Sequence, residues 1–196
     1  MNVNRRSVYS FVKKTISELS ADSNSVTQKL AILRRGVGHS PEEVPGCWGV
    51  IFQNAPEEWL LQKGGPTKEE WAVFTSLTLF AWSSQGKSRG NANVDSCSIG
   101  EAMGKLACLA ENKKNDNIVK LFNILATSVD MLAINVRLRR ICNLLKQECI
   151  GVDYALLAED LFFWQNESLR SKTLIKWGRD FYRTLGNING GKENEE

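Results

Sequence analysis

Apolar residues recur along this chain with the period of an α-helix, and polar ones fill the intervals. VYSFVKKTISELS reads as a first helix and Ser25–Arg35 as a second, with Val26, Leu30 and Leu33 on one stripe. Gly36 supplies the stop, because glycine accepts the left-handed conformation that ends helices. Residues 36–66 hold all four prolines, Pro41, Pro45, Pro56 and Pro66, and read as irregular, with room for one short helix between Pro45 and Pro56. Thr67 and Glu70 have capping-box spacing ahead of WAVFTSLTLFAW, which predicts a helix to about Ser84. The polar loop QGKSRGNANVDSC follows. Ser98 and Glu101 form a second capping box before SIGEAMGKLACLAE.

Asn112–Asn117 breaks the pattern. NIVKLFNILAT then resumes it, and a longer helix is expected from about Ser128 to Lys146. Asp153 is placed to cap VDYALLAEDLFFW, and a last helix is expected over Glu167–Leu185. WGVIF is the only short run with a β character, and it is isolated. The class is therefore all-α, about eight or nine helices in two packed helical bundles. The expected division is 1–112 for the N-terminal bundle and 113–185 for the C-terminal one, with a disordered acidic tail over 186–196.

Charge adds a second pattern. The net charge is only +3, but it is unevenly placed. Residues 1–40 hold seven Lys/Arg and two acids, residues 41–71 six Glu and two Lys, and residues 83–149 ten Lys/Arg and six acids. Two basic blocks thus flank an acidic one, an arrangement that suits a polyanion on one side and protein neighbours on the other. The five cysteines have irregular spacing and no C-x-x-C, which reads as reduced thiols in a cytoplasmic protein. The N-terminal stretch has no signal-peptide core, and no run is long and apolar enough to span a membrane.

Candidate chemistry is sparse. Gly86-Lys87-Ser88 imitates the end of a phosphate loop, but Ala81 stands where the motif needs glycine, and a helix precedes it. The lone histidine, His39, lies in a proline-rich loop. No His/Cys/Asp group has metal-ligand spacing, and the paired glutamates read as solvated faces or helix-start charges. Neither an enzyme nor a cofactor is expected.

Paired arginines remain. In the Ser128–Lys146 helix, Met131, Ile134, Leu138, Ile141 and Leu145 make one apolar stripe. Arg137 and Arg140 point away from it, Arg140 nearly opposite, and Arg139 lies on the other flank. Arg35 falls opposite the Val26/Leu30/Leu33 stripe, and Arg34 flanks it. One reading is ordinary surface charge complementing helix C-termini. The other is phosphate binding, for which the planar guanidinium fork is suited. Several such forks on one face hold a nucleic-acid backbone without reading sequence. Lys87, Arg89, Lys105 and Lys120 would extend that face. The six tryptophans sit mostly within apolar stretches and read as core.

LAILRRGVGHSPEEVPGCW resembles the opening motif of the CasB family, the small subunit of Cascade, the type I-E CRISPR surveillance complex. SIGEAMGKLA, VKLFNILAT, RLRRICNLL, YALLAEDLFFW and LIKWGRDFY follow in the family's order, so the resemblance covers about residues 25–183. It implies a non-enzymatic helical protein in two packed bundles. It further implies partners: other Cascade subunits, a second copy of the chain, CRISPR RNA, and the target and non-target DNA strands. No membrane and no small-molecule substrate is implied. Guide pairing reads sequence in such complexes, so a sequence-blind phosphate track that stabilises the R-loop and its displaced strand is the expected role.

By position, Arg34-Arg35 match the first basic motif and Arg139-Arg140 the second, with Arg137 just before it. Lys120 takes the basic place ahead of the Leu-Phe pair, and Lys87 and Arg89 lie in the loop that is often basic. Glu101 departs from the pattern, and the 85–97 loop carries few cations. The rival expectations are a helical protein-binding scaffold without nucleic-acid affinity and, more remotely, a helix-turn-helix regulator.

Overall fold

The structure is a computed structural model that describes residues 3–86, 92–110 and 112–192. Ten α-helices occur among them: α1 Val3–Leu19, α2 Asn24–Arg35, α3 Trp48–Phe52, α4 Glu57–Leu60, α5 Lys68–Ser83, α6 Ile99–Leu109, α7 Asn112–Ala126, α8 Met131–Gln147, α9 Tyr154–Trp164 and α10 Glu167–Lys192. A 3-10 turn, Pro45–Cys47, leads into α3. No strand forms among the described residues; an isolated bridge joins Asn93 to Val152.

The helix starts follow side-chain chemistry. Ser23 caps α2 by accepting the Val26 N–H, Asp130 caps α8 through Ala133, and Asp153 caps α9 through Leu156. The Thr67/Glu70 capping box before α5 is complete. The Ser98 box is only half made. Its hydroxyl accepts the Glu101 N–H, but the Glu101 carboxylate pairs with Lys105 at 2.7 Å instead.

Helix α5 is buried on nearly every side, from Ala72 to Ala81. A helix apolar all round belongs at the centre of a fold, and α5 packs against α1, α2, α8 and α9. Two of its interior hydroxyls tie it to α9: Ser76 donates to the Tyr154 carbonyl, and Ser83 shares a 2.6 Å hydrogen bond with the Tyr154 phenol. Elsewhere α6 lies on α10. Gly100 and Gly104 allow this, because a Cβ at either would meet the α10 backbone at Trp177 or Phe181.

Several boundaries differ from the expectation. WGVIF is helix α3, entered directly from the proline-led turn. Asn112–Asn117 begins α7 rather than interrupting the chain. Helix α10 continues through residues 186–192, expected as tail, although Gly and Asn are poor helix formers; propensity is a weak prior once an anchored segment sets the register. The 112/113 division falls at the first residues of α7. Helices on either side of it pack together, α6 on α10 and α1 and α5 on α9, and the buried side chains form one core cluster.

Candidate nucleic-acid interface

The C-terminal end of α5 collects cations from two other helices. The helix ends with unsatisfied carbonyls and a partial negative charge. From α2, the Arg34 Nε donates to the Ala81 carbonyl at 2.9 Å. From α8, the Lys146 ammonium donates to the Trp82 carbonyl at 3.3 Å. The Trp82 ring completes the group. The Arg139 guanidinium carbon lies 5.2 Å from its centroid and Lys146 Nζ 5.6 Å, within the range of cation–π attraction.

Register explains why α8 supplies two of these cations. Arg139 and Lys146 are seven residues apart, which on an α-helix is nearly two full turns and about 10 Å of rise. They share a flank, and Cys142, completely buried between them, packs that flank against the fold. Gly36 ends α2 at φ −80°, not in the expected left-handed conformation; its need is close approach to α5, because a Cβ there would press on Phe74 and Thr78. Burial lowers the Lys146 pKa, and the neighbouring Arg34 charge lowers it further. An anion beside these like charges would relieve that repulsion.

The remaining predicted residues divide. Arg35 is exposed beside the buried Cys47. Burial pushes the Cys47 thiol up to about 11, with the Arg35 charge opposing. Lys120 and Arg140 are exposed and line a separate groove of about 650 Å³ between α6, α7 and α8, floored by Leu106, Leu121 and Leu144. Arg137 does something different. Its guanidinium donates to the Ile124 carbonyl at 2.6 Å and to Ser128 Oγ at 2.8 Å, closing the end of α7. Lys105 is held by Glu101 and touches Cys97 Sγ at 3.6 Å; the Glu101 hydrogen bond raises its pKa. Lys87 and Arg89 lie outside the described residues.

The structure thus brings Arg34 and Arg139, one member of each arginine pair, to a single helix end. Sequence reasoning missed Lys146, which looked like one more cation at a helix terminus. Its seven-residue spacing from Arg139 was the available signal. Trp82, read with the other tryptophans as core, is half-buried against it and also carries two cations on its ring.

Among the described residues, no group of three or more His, Cys, Asp or Glu could hold a metal ion. His39 pairs with Glu43 at 3.3 Å on the surface. Of the five free thiols, Cys47, Cys97 and Cys142 are buried. No helix among these residues is long and apolar enough to cross a membrane.

These features define an all-helical protein with cations from separate helices gathered on its surface. The chain belongs to the family described as CRISPR-associated protein Cse2, whose pattern matches residues 29–182. That is the CasB family the sequence motifs pointed to. The fold is similar to CasB from Thermobifida fusca, with 26% identity, TM-score 0.71, and 89% of this chain and 97% of that one covered. CasB from Thermus thermophilus gives 20% identity and TM-score 0.64 over 93% of this chain and 99% of that one. A chain of a CRISPR RNA-guided surveillance complex gives 18% identity and TM-score 0.70 over 94% and 99%. No curated protein sequence matches.

Proposed function

We propose that this protein is a non-catalytic small subunit of a cytoplasmic CRISPR RNA-guided surveillance complex, and that its basic surface holds nucleic-acid phosphates during R-loop formation. The observation that carries the second part is the convergence of Arg34, Arg139 and Lys146 on the Trp82 end of α5. Arg35, Lys120 and Arg140 extend the track as exposed cations, and Lys87 and Arg89, which follow α5 in sequence, complete the proposed set. Arg137 and Lys105 contribute less, because each is engaged within the fold.

The mechanism is electrostatic and positional. Carbonyls and an indole face orient the cations, so they meet a backbone already positioned. Displaced counterions supply the free energy, and no base is read. Discrimination rests with guide–target pairing, and the subunit stabilises the opened DNA and its displaced strand. Other Cascade subunits and a second copy of the chain are the protein partners.

The test is affinity purification of the tagged full-length chain from its own cells, with sequencing of co-purified RNA. Recovery of several CRISPR-complex proteins with a uniform repeat-derived RNA is the expected result. Recovery of unrelated proteins without such RNA contradicts the proposal and favours a helical scaffold.

A further inference from the structure

The acidic block contains a cleft that none of the cations named above lines. Between the 3-10 turn and α5 a space of about 240 Å³ is walled by Trp48, Phe52, Pro41 and Pro66, with Glu42 and Glu70 in its lining. Trp48 is 41% exposed, yet it is held in place, because its indole N–H donates to the Pro41 carbonyl at 2.8 Å. The Phe52 ring stands 6.3 Å from it at 46°. The two rings are tilted to each other, Trp48 exposed and Phe52 half-buried against the core. One Glu70 oxygen accepts the Thr67 N–H at 2.7 Å. Glu42 is exposed, and its Oε1 lies over Gly65, whose missing side chain leaves the mouth open.

Aromatic faces beside carboxylates attract a cation by two routes, the ring quadrupole and the ion pair. The surroundings select among cations and exclude polyanions. Residues 41–71 carry six glutamates against two lysines, a field that repels a phosphate backbone. The same segment exposes Leu60 and Leu61, at 53% and 70%. Exposed apolar surface rimmed by charge marks a protein contact.

We infer that this cleft receives a lysine or arginine side chain presented by a partner protein, with Trp48 and Phe52 against its stem and Glu42 against its charge. No cation of the basic face lines the cleft, so the inference stands or falls independently of nucleic-acid binding.

The test uses the isotope-labelled full chain and the Trp48 indole resonance, identified by its loss in Trp48→Phe. A capped Gly-Arg-Gly peptide is titrated, then the same peptide with neutral citrulline, then tetramethylammonium. The arginine peptide is expected to give a saturable shift, and citrulline none. Glu42→Gln is expected to weaken binding roughly two- to fivefold, the range of an exposed ion pair, with unchanged circular dichroism. No saturable shift, an equal response to citrulline, or full affinity in Glu42→Gln overturns the inference. Saturation by tetramethylammonium with no response to the peptide also overturns it, in favour of a small-cation site. In cells, a photoreactive benzoylphenylalanine at position 48 is expected to crosslink to a protein segment bearing Lys or Arg; a crosslink to nucleic acid alone contradicts it.

Discussion

The Arg139 guanidinium stands over the Trp82 ring, 5.2 Å from its centroid. The contact orders a flexible side chain without cancelling its charge, as a carboxylate would. Such a pair contributes about 0.5–1 kcal/mol at an exposed site. Arg139→Ala is therefore expected to lower unfolding free energy by no more than that, by urea titration. It is also expected to reduce the log–log salt slope of single-stranded DNA binding by about 0.7, one phosphate contact.

Arg137 and Arg140 are predicted to behave oppositely, although they are one turn apart on α8. Arg137 closes α7 through Ile124 and Ser128. Arg137→Ala is expected to cost about 1–2 kcal/mol, since it leaves a carbonyl and a buried hydroxyl with fewer partners, and to leave the salt slope unchanged. Arg140→Ala, and Arg35→Ala likewise, should change stability by less than about 0.5 kcal/mol while weakening R-loop stability in the assembled complex. Loss of helical circular dichroism in Arg140→Ala would show a structural role instead.

The α6–α10 seam depends on two missing side chains. At Gly104 a Cβ would lie 2.7 Å from Thr184 Cβ and 2.8 Å from the Phe181 carbonyl. The obstacle is partly backbone, so rotamer change cannot relieve it. Gly104→Ala is expected to cost about 1–3 kcal/mol despite its better helix propensity, and Gly100→Ala at least as much, measured as lowered thermal midpoints. A rise in midpoint for either would mean that α6 and α10 do not pack this closely.

Asp160 gives a pH dependence with a defined sign. It accepts hydrogen bonds from Lys176 Nζ and Trp177 Nε1, both at 2.7 Å. Burial raises its pKa above the ordinary 3.8, with Lys176 and Trp177 opposing. Between the unfolded and the higher folded pKa the native state binds more protons. The contribution of Asp160 to stability therefore falls as pH rises through that window and is flat above it. The stability of the natural chain minus that of Asp160→Asn is expected to decrease from below pH 3.8 upward. An increase over the same range would contradict the sign.

How much of this was legible depended on range. The α8 stripe Met131, Ile134, Leu138, Ile141, Leu145 is buried as its spacing required, and Thr67 and Glu70 form the box their separation announced. These features are local. The short helix expected between Pro45 and Pro56 is α3, whereas α4 was missed because prolines and glycines surround it; burial of Ile51 and Trp59, which holds the two to the fold, is a tertiary fact. The meeting of Arg34 with Arg139 across 105 positions could not be read from either helix. Arg137 looked like Arg140 for the same reason. Both point away from the apolar stripe, and only the position of α7 makes one a clamp and leaves the other in solvent.

Cations gathered from different helices are proposed to act as one phosphate track. The most direct measurement is the salt dependence of single-stranded DNA affinity for the natural chain and for an Arg35→Ala/Arg139→Ala/Arg140→Ala variant, with folding checked by circular dichroism. A linear log–log plot is expected, with a slope that falls by roughly 2 in the variant, three contacts at about 0.7 each. Equal slopes for the two proteins, or no measurable affinity at low salt, would contradict it.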